Sequence, residues 1–190
     1  LMTDRRVQRT KTALRQAYRK IARQYPYHDI TVKQLTDEAN INRKTFYLHY
    51  DSIDDLAYSF ADEIADKLLK LLLPTPGTTY STVEPGFWYD RLSAFFEEAP
   101  DFYTFILTSD DYSFASRRVK RQVAIGLTQN FQLGYGLSEA DAKICANFLI
   151  DGTLTLFRLR ITGQIEMSSA ELKQKIVALN LTGLHGFLKS

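Results

Sequence analysis

The sequence predicts an all-α chain. Apolar residues recur three and four positions apart, as Leu14, Tyr18 and Ile21 do in the first segment. The alternation of apolar and polar residues that indicates half-buried strands is absent from the sequence. Of the 190 residues, 45% are hydrophobic, which is enough to bury a core. Helix-capping residues precede the apolar stretches, so we expect a series of helices joined by short connections.

The first predicted helix covers residues 5–25, and Pro26 ends it. One side carries the apolar stripe. Arginine and lysine residues occupy the other sides, which is typical of a solvated helix surface. We expect only the first few of these cations to contact a phosphate.

Residues 31–50 predict two short helices joined by a tight turn. Thr31 and Gln34 have the spacing of a capping box, which starts the first of the two. Asn40 tolerates the left-handed conformation that ends it, and Asn42 caps the second. The pair is either an ordinary αα-hairpin with solvated cations or a surface for phosphates and base edges. The second helix favours the latter because it carries Arg43, Lys44, Thr45, Tyr47 and His49.

This stretch resembles the N-terminal DNA-binding domain of the TetR family of bacterial transcriptional regulators. The matching segment runs from about Arg9 to Leu56, and its most specific part is Thr45-Phe46-Tyr47-Leu48-His49-Tyr50. The resemblance implies a three-helix DNA-binding domain with a helix-turn-helix at residues 5–51. A long fourth helix then joins it to a helical ligand-binding and dimerisation domain at residues 52–190.

The resemblance also implies a role for each exposed side chain on a double-stranded DNA operator. Lys44 and Thr45 approach base edges, while Thr31, Tyr47 and His49 hold phosphates. The predicted DNA-binding residues are Thr31, Lys33, Asn42, Arg43, Lys44, Thr45, Tyr47 and His49.

The sequence departs from the family just after this surface. The family usually has a lysine where Ile53 stands and often has another where Asp51 stands, both near the DNA backbone. Lys44 and Lys33 are the candidates to supply the missing charge.

The charge distribution is asymmetric. Residues 1–50 hold 11 Lys and Arg against 4 Asp and Glu, a net charge of +7, while residues 51–190 hold 13 against 18, a net charge of −5. A basic end on an acidic body fits a protein that places one end on a polyanion.

The fourth predicted helix starts after the capping pair Ser52 and Asp55 and runs to about Leu73. At 1.5 Å per residue it is about 33 Å long, which is enough to couple the two domains mechanically. Residues 74–86 form a linker rich in proline and glycine. The remaining predicted helices are 87–99, 101–108, 112–133, one capped by Ser138 that runs to about 162, and one capped by Ser168 or Ser169 that runs to about 188.

The last two predicted helices indicate a homodimer. Residues 144–161 are apolar on almost all sides, which a helix at the surface of a monomer could not sustain. Two chains that pack these helices into a four-helix bundle would cover them, as the family does; burial within one large core is the alternative. The predicted interface residues are Phe148, Gly152, Leu156, Leu172, Ile176, Gly183 and Phe187.

Aromatic residues are concentrated between residues 87 and 114. The resemblance implies a cavity for a small apolar or aromatic effector, which such rings would line; core packing is the alternative for each single ring. Two charged residues in the eighth helix are candidate ligand anchors, although we favour a structural pair. The predicted pocket residues are Trp88, Phe95, Tyr103, Tyr112, Asp151 and Arg158.

Other functional classes find little support in the sequence. The three histidines are scattered without metal-ligand spacing, no phosphate-binding glycine motif is present, and Cys145 is the single cysteine. We therefore expect no enzyme activity, no metal and no cofactor. No apolar run approaches the length of a membrane span and no signal peptide is visible, so we expect a cytoplasmic protein.

The sequence therefore predicts a dimeric transcriptional regulator, most simply a repressor that a small-molecule effector releases from a palindromic operator. Two rivals remain. One is a DNA-binding regulator controlled by a protein partner, and the other is a helical dimeric interaction module without a DNA role.

Overall fold

The computed structural model describes residues 2–73, 86–98 and 101–188, and their side chains except for those of 2–4, 98 and 181–188. The all-α prediction is confirmed, because the described residues form nine α-helices, short 3-10 turns and no strand. None of these helices is long and apolar enough to cross a membrane. The helices are α1 (Met2–Ile21), α2 (Val32–Glu38), α3 (Arg43–Tyr47), α4 (Ile53–Leu72), α5 (Phe87–Glu98), α6 (Asp101–Thr108), α7 (Ser113–Tyr135), α8 (Glu139–Ile161) and α9 (Ser169–Leu188).

The predicted caps of α2 and α3 are confirmed. Thr31 Oγ1 accepts a hydrogen bond from the Gln34 N–H at 3.2 Å, and Gln34 Oε1 accepts one from the Thr31 N–H at 2.7 Å. Asn42 Oδ1 accepts from the Lys44 N–H at 2.8 Å. Between the two helices Asn40 has a φ of 52°, the left-handed conformation that a tight turn requires here. Local side-chain chemistry thus fixes both helix starts.

The first helix ends earlier than predicted, at Ile21 rather than at residue 25. The N–H groups of Gln24 and Tyr25 both donate to the Ile21 carbonyl oxygen, at 2.9 and 3.1 Å, so the chain turns before Pro26. Tyr25 is 45% exposed and does not continue the apolar stripe. A 3-10 turn at Tyr27–Asp29 then leads into α2.

The first three helices share a small core. Leu14 and Tyr18 of α1, Leu35 of α2 and Phe46 of α3 are each fully buried. A helix of five residues is not stable alone, so the burial of Phe46 holds α3 in place and sets its rotation. Tyr47, the next residue, is 56% exposed.

Helix α4 packs against helices from both the N-terminal and the C-terminal part of the chain. Its buried face runs from Leu56 to Leu72 and includes Phe60, whose ring stacks on Tyr18 of α1 at 5.4 Å, while the helix also packs along α7. Where α4 and α7 cross, a Cβ added to Gly126 would lie 2.4 Å from a Leu69 methyl group. The glycine therefore permits the close approach of these two helices.

Helices α7 and α8 form an antiparallel hairpin, and α9 packs against α5 and α8. The turn between α7 and α8 uses Gly136 at a φ of 67°, and Ser138 caps α8. Ser168, rather than Ser169, caps α9, because its Oγ accepts from the Glu171 N–H at 3.2 Å. The predicted linker lies outside the described residues, apart from Gly86.

A paired substitution tests the rotation of α3. Phe46→Ala should lower the free energy of unfolding by about 3–5 kcal/mol because it leaves a cavity in the core. Tyr47→Ala, which removes a neighbouring ring from the surface, should change it by no more than about 0.5 kcal/mol. Urea denaturation of both variants measures the difference, and equal losses would contradict the orientation of α3.

Candidate nucleic-acid interface

The structure leaves all eight predicted DNA-binding residues at least partly exposed on α2, α3 and the residues that flank them. Lys33, Arg43 and Lys44 form no ion pair with any described residue, so their charges are available to an external anion. The exposed residues are Thr31, Lys33, Asn42, Arg43, Lys44 and Tyr47, and the partly exposed ones are Thr45 and His49.

The orientation of this surface follows from aromatic packing on its inner side. The Phe46 ring meets the Tyr47 ring edge-on at 5.3 Å and lies 5.9 Å from the Tyr50 ring. Phe46 within α3 and Tyr50 just after it are both buried. Their packing holds the short helix in place. The polar edge that begins at Lys44 is consequently turned outward.

The two positions where the family has lysine carry other interactions here. The Asp51 N–H donates to Asp55 Oδ2 at 3.1 Å, beside the first turn of α4. Ile53 is partly buried and packs against the core. Ile53 thus adds apolar packing instead of a cation, and the cations of this surface lie on α2 and α3.

One carboxylate joins α1, α4 and α6. The Arg15 guanidinium pairs with Glu63, donates to Ser59 Oγ at 2.8 Å and lies 3.7 Å above the Phe60 ring. The Tyr103 hydroxyl of α6 donates to the same Glu63 carboxylate, and Lys67 Nζ lies 2.9 Å from it. Movement of any one of these helices would disturb the partners of Glu63.

The environment keeps this carboxylate charged. Burial on its own would raise the pKa of Glu63, but hydrogen bonds from Tyr103 and Lys67 and the charge of Arg15 outweigh it and lower the pKa. Burial, together with the neighbouring Glu63, raises the pKa of Tyr103, which therefore stays a neutral donor. At neutral pH the cluster holds one negative charge between two positive ones.

Tyrosines form a second contact between the first helices and the rest of the chain. The Tyr18 hydroxyl of α1 donates to the Tyr112 hydroxyl at 3.2 Å in a buried environment, and burial raises the pKa of Tyr112 to about 12. The Tyr27 ring lies 5.3 Å from Tyr112 and 4.6 Å from Phe114, and its hydroxyl donates to Asp54. The turn between α6 and α7 therefore contacts the helix-turn-helix side directly.

We call these two contacts together the inter-helix joint. The sequence does not reveal this joint: its pattern predicts a solvated surface for Arg15 and either a ligand pocket or core packing for Tyr112. One local feature could have indicated that Arg15 lies near the core. It is next to Leu14 and one turn before Tyr18, and both of these residues are buried. The joint is made of Arg15, Tyr18, Tyr27, Asp54, Glu63, Lys67, Tyr103 and Tyr112.

The predicted pocket residues do not come together in one place. Phe95 and Tyr103 are 3% and 1% exposed and stack on each other at 6.3 Å. Tyr112 belongs to the joint, and the Trp88 ring meets the Phe131 ring edge-on at 6.2 Å. These four rings therefore take part in core packing.

The two charged pocket candidates form structural ion pairs, but not with each other. Asp151 lies 3.2 Å from Lys120, and Arg158 pairs with Asp110. Asp151 lines a groove of about 670 Å³ between α7 and α8, whereas Arg158 lines a separate cavity of about 70 Å³. The groove is the larger of these two spaces, and its exposed cations include Arg117 and Arg121.

The predicted dimer residues divide into two groups. Phe148 is 50% exposed, Gly152 has no atom within 4 Å of an added Cβ, and Leu156 is partly exposed. Leu172 and Ile176 are a correction: they are 1% and 2% exposed because they pack into the core of their own chain. These two side chains are not available to a second chain.

The exposed part of the predicted interface forms a row on α8. Ile144 is 57% exposed, and with Phe148 and Gly152 it follows the four-residue spacing of one helix face. On α9, Leu179 is 59% exposed. Gly183 and Phe187 lie in α9, but their side chains are outside the described residues. We call Ile144, Phe148 and Gly152 the α8 stripe.

Comparisons with known proteins agree with this architecture. No family-level sequence model matches the chain. A stretch of 54 residues, 28% of the chain, is 43% identical to YxbF, an uncharacterised HTH-type transcriptional regulator of Bacillus subtilis, and it spans 14% of the length of YxbF.

Solved structures resemble the chain over nearly its whole length, and two of them serve as examples. The TetR family repressor AlkX from Dietzia sp., which is implicated in biodegradation of n-alkanes, superposes with a TM-score of 0.54 at 10% identity, covering 94% of this chain and 96% of AlkX. A proposed transcriptional regulator from Pseudomonas aeruginosa PAO1 gives a TM-score of 0.52 at 17% identity, covering 98% and 93%. At such identities the likeness concerns the fold.

Proposed function

Because this chain has the fold of the TetR-family repressors, we propose that it is a dimeric DNA-binding transcriptional regulator. The observation that carries this proposal is the outward face of α3, where Arg43 and Lys44 have no ion-pair partner in the described residues and Phe46 fixes the rotation. A helix with exposed, unpaired cations and a fixed rotation fits the DNA major groove, where its first residues lie at the base edges.

The exposed side chains divide into two roles on the operator. Lys44 and Thr45 lie in the first turn of α3 and approach base edges. Thr31, Tyr47 and His49 hold phosphates, which sets the position of the protein on the duplex. Because Ile53 packs inward, the charge that the family has at that position comes from Lys33 or Lys44, and Arg43 is a further exposed cation for phosphate.

A homodimer would cover the α8 stripe. Ile144 and Phe148 leave apolar surface in water that a second chain would bury, and a helix from that chain can approach closely at Gly152. Two chains related by a twofold axis would then present two α3 helices to a palindrome, about 34–36 Å apart.

Regulation would act through the inter-helix joint. Helix α4 is shared by both halves, and Glu63 holds partners from α1 and α6. A small-molecule effector that binds better to a state with these helices displaced would change the separation of the two α3 helices and release the operator. The groove of about 670 Å³ beside Asp151 is within the volume range of ligand sites.

One observation supports a second candidate, in which a protein partner controls the regulator. The rings predicted to line an effector cavity take part in core packing, and the cavity beside Arg158 holds only about 70 Å³. A drug-sized ligand needs about 300 Å³ or more. A compound that binds in the α7–α8 groove and releases the operator would favour the small-molecule mechanism.

Two substitutions test the assigned DNA roles. Tyr47→Ala should weaken binding to the selected operator and to random duplexes by about the same factor, roughly tenfold, because it removes a phosphate contact. Lys44→Ala should weaken operator binding by about 1–3 kcal/mol and also reduce the preference for operator over random DNA. Fluorescence anisotropy at fixed salt measures both, and equal loss on both duplexes for both variants would contradict the roles.

A charge placed on the α8 stripe tests the dimer. The wild type should scatter light as a dimer at micromolar concentration, and Phe148→Glu should give a monomer, because an ionised carboxylate would be buried without a partner. Leu133→Glu, a change at an 88% exposed leucine of α7, is the matched control and should remain dimeric. A wild type of monomeric mass would rule out the interface.

A further inference from the structure

Leu48 is an apolar residue in a position where the fold does not need one. It lies at the C-terminal cap of α3 and is 80% exposed. Among the described residues, Leu133 is the one large hydrophobic side chain with a greater exposed fraction. The core therefore does not account for a leucine here.

The backbone around Leu48 is well anchored. Its N–H donates to the Thr45 carbonyl oxygen at 3.3 Å, and the N–H groups of His49 and Tyr50 donate to the Phe46 carbonyl oxygen at 2.9 and 3.0 Å. Tyr50, two residues on, is 6% exposed. The Leu48 side chain is thus presented from an ordered turn.

The neighbours of Leu48 place it on the surface proposed to meet DNA. Lys44 lies four residues earlier, so the two side chains share one edge of α3. Tyr47, which is 56% exposed, lies beside it in sequence. The outward edge of α3 consequently ends in an apolar group beyond its cations.

A leucine side chain cannot donate or accept a hydrogen bond, which limits what it can recognise in the major groove. The apolar group on that groove edge is the C5 methyl of thymine. Building on the proposed function, we propose that Leu48 is a specificity-determining residue that contacts a thymine methyl in each half-site.

The helix geometry gives the position of that thymine. Four residues rise about 6 Å along a helix axis. One base pair occupies about 3.4 Å of the duplex. A helix that lies in the groove is inclined to the duplex axis, so the thymine read by Leu48 lies no more than about two base pairs from the base contacted by Lys44.

Replacing thymine by uracil tests this contact, because uracil lacks only the C5 methyl. The tightest duplex selected by the wild type from a random library is compared with the same duplex in which every thymine is uracil. Wild type should bind the uracil duplex about sixteenfold more weakly, because about fourfold is lost with the buried methyl contact in each of the two half-sites. In Leu48→Ala the ratio of the two affinities should fall by about the same factor.

Two further variants serve as controls. Leu48→Met keeps an apolar side chain and should retain the preference for thymine, whereas Leu133→Ala should behave as the wild type. Thermal unfolding of Leu48→Ala should match that of the wild type, since the side chain lies outside the core. Single thymine-to-uracil changes then locate the base.

The outcomes separate this inference from the proposed function. Tight binding to the selected duplex, with an affinity ratio that is the same in wild type and Leu48→Ala, would overturn the role of Leu48 and leave DNA binding intact. If selection recovers no duplex, the role of Leu48 and the proposed function fall together.

Discussion

The orientation of the proposed DNA-binding surface depends on the burial of Phe46. Helix α3 has five residues, too few to be stable or to hold an orientation without tertiary packing. With Phe46 fully buried, the rotation of the helix is fixed, and its cationic edge faces outward. The caps at Thr31 and Asn42 set where α2 and α3 begin, but packing of this ring decides which side chains reach a ligand.

The inter-helix joint links that surface to the remainder of the chain. The Tyr18 and Tyr112 hydroxyls are buried and costly without partners, and together with the partly exposed Glu63 carboxylate they favour one relative placement of α1, α4 and α6. A displaced arrangement has to satisfy the same groups in another way. Packed polar contacts of this kind favour discrete arrangements over gradual deformation, which fits the proposed regulation.

Sequence reasoning succeeded where the determining contacts are local. The caps formed by Thr31, Asn42, Ser52 and Ser138 lie within three residues of the N–H groups that they bind, so spacing alone reveals them. The end of α1 was placed too late, because a turn closed by the Ile21 carbonyl oxygen leaves little trace in the apolar pattern.

Contacts between distant residues could not be predicted in the same way. Tyr18 and Tyr112 are 94 positions apart, and nothing in either segment indicates the other. Periodicity identified Leu172 and Ile176 as an apolar face of α9, but it cannot tell whether the same chain or a second one covers that face. The DNA-binding residues and the interface on α8 remain predictions, which duplex binding and light scattering test.

The salt dependence of duplex binding tests the central claim, that the outward edge of α3 binds DNA, most directly. The logarithm of the association constant should fall linearly with the logarithm of salt concentration. Arg43→Ala should reduce the steepness of that line by about 1.8, the contribution of two phosphate contacts, one from each chain of the dimer. Lys175→Ala, which removes an exposed cation on α9, should leave the slope unchanged. A slope near zero, or one that Arg43→Ala does not alter, would contradict the account.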